Sequence, residues 1–562
     1  MSLGACTPPT DHPASSASNT SNETSSEAEL TITDEVKTAA TAIDAAGLTA
    51  VIERLASDEL EGRGPASEGD RKARQIIAEE FAQAGLQPAA EDGGWEQSFE
   101  IVSITSQAPK TWAFQGSDGV ESFQWWEDYI AASGVQTATA SVNDAEVVFV
   151  GYGIEAPEYD WNDFKDVDLT GKVLLMLNND PDWDPELFAG DLRLYYGRWT
   201  YKYEIAAAKG AVGAIIIHTR PSAGYPWQVV QSSWTGAQFE LPAGDEPRIQ
   251  VAGWLTQDAA ARLVASSGHS LEDLEKSAHS RDFAPVALGL KTSLELTNTL
   301  EQAETANVLG VLPGSDAVLQ NQAVIYTAHH DHLGIGEGDD QEDRIYNGAR
   351  DNASGVAELV AIAKAFRALP EPPKRSILFL AVGAEEQGLL GSKHYAQNPT
   401  FAPGNIAANI NFDSANIFGR TVDLPLVGKG KSSLDAIAQQ AADLQGRQVV
   451  SESDPTQGSF YRSDQFNFAK IGVPALYFDE GTNFVDKESG MNAETLEAWN
   501  LSHYHQPSDE LDDSWNFEGM VEDSQLGFYC GWILGNQQAL PSWTPGDEFE
   551  ATRKAAIAAV SP

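Results

Sequence analysis

The segment TAHHDHLGIG, residues 327–336, sets His329, His330 and His332 around Asp331 in a chain of 562 residues with only 10 histidines. Carboxylates follow in short polar segments: Asp351 in NGARDNASG, Glu385 and Glu386 in GAEEQGLLGS, Asp413 in NINFDS. Late in the chain, SHYHQPSDEL adds His503 and His505. Each has an ordinary explanation taken alone. A histidine at a strand end is commonly a surface residue, Asp351 could cap the helix after it, and adjacent glutamates could be a solvated pair. Yet these segments follow consecutive apolar runs, so one sheet would bring them to one rim. Uncompensated carboxylates gathered there would repel one another and resist ionisation, and a multivalent cation removes that conflict. Two histidines and three carboxylates, with no thiolate, suit zinc. One ion needs only three protein ligands; five candidates point to two ions sharing a carboxylate.

Alternation along a strand divides the histidines. Positions two apart share a side, so His329 and Asp331 face one way and His330 the other. A metal-bound histidine ordinarily gives its second N–H to a carboxylate. His329 is therefore read as a ligand, Asp331 as its orienting partner and His330 as packing. The chain turns at HLGIG, so His332 is read as structural with its role open.

The elements that must position these residues alternate. From about residue 305, NVLGVLPG, AVIYTAHHD, RSILFLAVGAEE, NIAANINFDS and VPALYF read as strands, and SGVAELVAIAKAFRAL, LLGSKHYAQN and SLDAIAQQAADLQG as helices. This predicts an α/β domain with a mostly parallel, buried sheet flanked by helices. Ligands of such sheets bind at the carboxyl ends of strands. Residues 36–87 read as helices, one of them stopping at Gly85. Between about 140 and 290, AEVVFVGYGI, GKVLLMLNND, AVGAIIIHT and RIQVAGWL are β-rich runs with one helix, YKYEIAAAKG. That block has few groups able to ligate metal and reads as an inserted non-catalytic module. The expected division is a linker over 1–34, a first catalytic part over 35–130, the insertion over 131–295, a second catalytic part over 296–540 and a helical or frayed tail over 541–562.

Composition narrows the function. A net charge of −48 excludes nucleic acid and anionic lipid as partners, since both need a cationic face. The charge is spread along the chain, which suits a solvated acidic surface in a salty medium. No repeated Asp-rich loop supports cation storage. Only two cysteines are present, Cys6 and Cys530, one near each end, so no disulfide framework is expected. Cys6 ends SLGAC, the pattern cut and lipidated in bacterial lipoproteins, so export to the periplasm, an outer-membrane lipid anchor or secretion is expected. No apolar run approaches the ~20 residues a membrane span needs.

In order and content these segments resemble the M28 family of zinc peptidases. HHDHLG, GARDNASG, AEEQGLLGS, NINFDS and YHQPSDEL carry the resemblance, together with LASDELEGRG and GVPALYF, and it covers roughly 40–110 and 300–535. The 140–290 block is similar to the protease-associated domain inserted in many such enzymes, through VFVGYGI and AAAKGAVGAIIIH. The resemblance implies two zinc ions bridged by Asp351, one completed by His329 and Asp413 and the other by Glu386 and His505. It implies Glu385 as general base on the attacking water, and peptide substrates. Tyr461, in SFYRSD, is the candidate oxyanion donor, and Asp464 would orient a ligand or the substrate amine. The sequence departs from the family at Gln465, where relatives often carry His, which puts pocket polarity in question. An aminopeptidase is the expected activity. A carboxypeptidase or dipeptidase would need cationic side chains for a substrate carboxylate; Arg462 is near, but no arginine cluster is visible in sequence. Glutaminyl cyclase works with one zinc, against the paired set here. A non-catalytic binding module would be expected to have lost the base or a ligand.

Overall fold

The computed structural model describes residues 30–561, except 118, 185–186, 191 and 337–342. Cys6 and the anchor expected there lie outside the described residues.

The apolar runs of the second half form strands Ala323–His329, Ser376–Val382 and Ile406–Asn411, each buried at every position. Such unbroken burial belongs to a sheet covered on both faces. With Ala475–Tyr477 they run parallel, in the spatial order 475–477, 406–411, 323–329, 376–382. Alternate residues serve the two layers. Val324, Tyr326 and Ala328 join the core with helices Gly355–Ala368 and Glu518–Asn536. Ala323 and Ile325 pack on the other side with Tyr395 and Phe468, from helices Leu390–Gln397 and Gln465–Lys470. The helix expected to stop at Gly85 spans Glu68–Gln83, and Gly85 follows it with a φ of 82°.

The 140–290 block is layered in the same way. Strands Thr139–Phe149, Val173–Leu177, Gly213–His218 and Val251–Thr256 are parallel neighbours, with Tyr129–Ser133 antiparallel at the edge. Helices Trp199–Ala208, Gln257–Ser266 and Leu271–Ala278 accompany them, so the block is α/β, with more helix than its β-rich text suggests.

One strand of 27 residues, Val286–Leu312, joins the halves. It pairs antiparallel with Thr139–Phe149, then Glu96–Gln107, then Ser376–Val382. Its period-two pattern buries Leu288, Leu290, Leu294 and Leu296 in the inserted half's core and Val308 in the other. The boundary expected at 295–296 therefore falls inside a strand, and that at 130–131 inside Tyr129–Ser133. Within the expected tail, residues 550–560 are helical. Helix Glu550–Val560 carries Arg553, 2% exposed, whose guanidinium donates to the carbonyls of Pro403 and Ile406. No helix among the described residues is long and apolar enough to cross a membrane.

Candidate metal centre

The carboxyl ends of the parallel strands meet at one cluster. His329 ends its strand, and its Nε2 lies 3.1 Å from Asp351 Oδ1 and 3.3 Å from Asp413 Oδ1. The other Asp351 oxygen, Oδ2, lies 3.2 Å from His505 Nε2, which is also 3.2 Å from Glu386 Oε2. Asp351 thus turns one oxygen to each half of the site. Among the described residues no lysine or arginine forms an ion pair with Asp351, Glu386 or Asp413.

Burial would raise the Asp351 carboxyl, but hydrogen bonds from His329 and His505 outweigh it and hold it well below the usual range. Burial likewise opposes charge on His505, yet bonds to Asp351 and Glu386 lift it to about 10. The set balances its charge only through protons on imidazoles, which a divalent cation displaces on binding. His329, Asp351 and Asp413 bring one ligand atom each within 4.8 Å of one another, and so do His332, Asp351 and Glu386. The donors present therefore fit zinc, with N and O ligands in two adjoining groups.

The surrounding loops are held tightly. The Asp331 carboxylate accepts the backbone N–H of Glu385 at 3.0 Å and of Glu386 at 3.3 Å. This corrects the expected pairing: His329 Nδ1 is 3.1 Å from the Asp331 carbonyl oxygen, and the carboxylate is 3.9 Å away. Asp331 orients the glutamate turn with its side chain and the imidazole with its backbone. Glu385 stands partly exposed at the rim. Burial, with the charges of Asp413 and Glu386 adding to it against His329, holds its carboxyl well above the ordinary range. Ser463 donates to Asp413 Oδ2 at 2.6 Å. Gln465 does not shape pocket polarity; it is fully buried and accepts from Asn411, whose side chain also donates to Ser463.

Three residues at the centre were not assigned roles from sequence. His332, read as structural, is fully buried with Nδ1 2.7 Å from Glu386 Oε1. Asp509 accepts the backbone N–H groups of Arg350 and Asp351 at 2.9 and 3.0 Å, clamping the loop that carries Asp351. Arg63, inside LASDELEGRG, donates to the carbonyls of His330, Leu55, Asn347 and Gly348. Both Asp509 and Arg63 lie in quoted segments, but buried backbone clamps leave no periodic signature. His330 does face away, and pairs with Asp70 at 3.0 Å. His503 stacks on Trp499, ring centroids 4.4 Å apart, and takes no part.

Tyr461 is the misplaced candidate. Its hydroxyl donates to Glu548, in a cluster with Lys431 and Asp547. Burial first, then the carboxylates of Glu548, Asp547 and Asp180, raise it, and none of these carboxylates is at the centre. The tyrosine that does stand there is Tyr504, 53% exposed and stacked on His505 with centroids 4.0 Å apart. Asp464 is 1% exposed, and burial pushes its carboxyl to about 7; it is out of reach of a solvent-borne amine.

With this geometry in view, residues 307–527 match the model of Peptidase family M28. This segment holds His329, Asp331, Asp351, Glu385, Glu386, Asp413 and His505. Leupeptin-inactivating enzyme 1 of Streptomyces exfoliatus is 27% identical over 47% of this chain and 56% of its own length. Aminopeptidase YwaD of Bacillus subtilis is 26% identical over 37% of this chain and 40% of its own. The probable lipoprotein aminopeptidase LpqL of Mycobacterium tuberculosis is 27% identical over 39% and 44%. The chain thus spans about half the length of the curated relatives it matches. Among solved structures, an aminopeptidase from Aneurinibacillus sp. strain AM-1 aligns over 90% of this chain and 97% of its own, at 19% identity and a TM-score of 0.47.

Proposed function

We propose that this protein is a zinc-dependent aminopeptidase that removes N-terminal residues from peptides. The observation that carries the reading is Asp351, whose two oxygens face different histidines, each backed by a further carboxylate. His329, Asp351 and Asp413 would hold one zinc, and Asp351, Glu386 and His505 the other. His332 orients Glu386 from behind. Bound zinc supplies Lewis acidity, which makes water nucleophilic near neutral pH and polarises a carbonyl.

The protein's own groups do the rest. Glu385 sits at the rim with its carboxylate in no hydrogen bond among the described residues. It takes the proton of the attacking water and passes it to the leaving amine. Asp331 keeps Glu385 in place through the backbone of its turn. Tyr504, rather than Tyr461, presents a hydroxyl beside His505 to the developing oxyanion. Export, with or without a lipid at Cys6, is part of the proposal. It is supported by SLGAC and by the similarity to LpqL, a probable lipoprotein aminopeptidase.

The test compares free and N-acetylated aminoacyl anilides and dipeptides, before and after chelation, in the wild type and in Glu385→Gln. The expected result is cleavage of free-amine substrates only, lost on chelation. Glu385→Gln should keep its zinc by elemental analysis and lose about 10²–10⁴-fold in kcat. Full activity in that variant overturns the mechanism, and cleavage of blocked substrates overturns the aminopeptidase assignment.

A further inference from the structure

A chain with 83 acidic and 35 basic residues has little positive charge to spend, yet it sets Arg193 and Arg462 on the loop from Pro455 to Ser463, which reaches Asp413, with Arg198 in their electrostatic reach. Arg193 and Arg198 come from the inserted half and Arg462 from the loop before Ser463. Arg193 is 6% exposed. Its Nη2 donates to the Ser222 carbonyl at 2.8 Å, and its backbone N–H to the Pro455 carbonyl at 3.2 Å. Its side chain lies along Gly458, where a Cβ would come within 3.3 Å of its Cδ. Arg462 donates to the Gln457 carbonyl at 2.9 Å and remains exposed. Arg198 precedes helix Trp199–Ala208.

Arg198 lies within electrostatic reach of the other two. Burial, then the neighbouring Arg462 and Arg193, lower Arg198 to about 9, and all three arginines act on Tyr225. The Nε atoms of Arg193 and Arg198 are buried and have no hydrogen-bond partner. Among the described residues, none of the three arginines pairs with an Asp or Glu carboxylate within ion-pair distance. Asp180, the carboxylate that bears most on Arg193, already accepts the Leu194 N–H at 3.0 Å and faces Lys202. On the other side, Arg462 lies within electrostatic reach of Tyr504, next to His505, and the residue after it, Ser463, holds Asp413. Guanidinium forks that pair with no carboxylate of the chain match a planar carboxylate from a ligand.

We propose that Arg193, Arg198 and Arg462 form a carboxylate-binding subsite bordering the metal centre, so that favoured substrates are short peptides held there by a free C-terminal carboxylate or an acidic side chain. The subsite rests on the peptidase reading and narrows it. Sequence could not reveal it, because Arg193 and Arg198 are more than 250 positions from Arg462.

The experiment measures kcat/KM for a leucyl dipeptide as free acid, for its C-terminal amide and for an amide with Glu in the second position. The proteins are the wild type, Arg198→Gln and Arg462→Gln. In parallel, calorimetry measures binding of a reduced-bond dipeptide, which cannot be hydrolysed, as acid and as amide. The wild type should favour the acid tenfold or more, through KM, and that ratio should fall towards one in both variants. The reduced-bond acid should bind more tightly than its amide by a similar factor. If the Glu-bearing amide matches the acid, the subsite reads side chains; if it matches the plain amide, the terminal carboxylate. Equal handling of acid and amide by the wild type overturns the proposal, as does a loss in the variants shared by both. Should no peptide be cleaved, the peptidase reading falls and the reduced-bond pair still decides the subsite.

Discussion

Two half-sheets of the same design meet on one long strand, and they treat charge at their strand ends in opposite ways. In the inserted half, the turn after Val173–Leu177 carries Asp180, 4% exposed, and the segment after Thr139–Phe149 leads to Asp163, 1% exposed. Both lie around Lys202, fully buried, whose ammonium donates to the carbonyls of Tyr152 and Asn179 at 2.6 and 2.9 Å. The charge of a lysine acts on both carboxylates. In the other half, the ion-pair partners of Asp351, Glu386 and Asp413 among the described residues are all imidazoles. Arg63 and Arg350 come near but spend their donors on backbone carbonyls, Asn500 and Glu480. The same topology becomes a packed core or a cation site according to whether a lysine stands among the acids.

The strongest way to break this comparison is to remove the shared carboxylate. Asp351→Asn should leave at most one zinc per chain by elemental analysis and abolish measurable hydrolysis; two zinc ions retained would end the bridging assignment. Next comes the clamp. Asp509→Ala frees the backbone of Arg350 and Asp351 without touching a ligand, so zinc affinity, read by competition with a chelator, should weaken about 10–100-fold. An unchanged affinity would make the clamp dispensable.

On the inserted side, Lys202→Met strands Asp180 and Asp163. Removing one partner from a buried charge group costs about 3–5 kcal/mol, read by chemical denaturation, and zinc content should not change. A variant as stable as the wild type would mean the lysine is not what balances that half. The smallest effect concerns Asp163. Burial raises its carboxyl to about 6, against bonds from Ile154 N–H and Trp161 Nε1. A group raised on folding contributes its stability below the unfolded value, near 4, and loses it as pH rises through about 6. Asp163→Asn should therefore flatten the slope of stability between about pH 4 and 6; an unchanged slope would place the titration elsewhere.

How legible each half was follows from what kind of signal it left. The strands Ala323–His329 and Ser376–Val382 are unbroken apolar runs closed by polar residues, and the metal-centre residues sit at those closures, so local text carried both element and site. The strand Val286–Leu312 is hidden in the sequence because its alternation runs through Thr, Asn and Glu, and some of its partners lie more than 200 positions away. The segment SFYRSD does reach the centre, but through Ser463 and not Tyr461. A half-turn of chain sends its hydroxyl to Glu548, and Tyr504 stands beside the centre instead.

Residue type and order, then, already determined the chemistry available here: imidazoles and carboxylates without thiolates, spaced by strands, require a cation wherever they meet. Tertiary structure alone decided which groups meet and which charges go unanswered. It set Asp351 between two histidines, placed Asp509 and Arg63 under the loops, gave Lys202 to one half only and drew three distant arginines together. Those outcomes depend on burial and on distances between remote segments. Electrostatic energy in a low-dielectric interior rises steeply as such distances shrink, and a linear sequence does not record them.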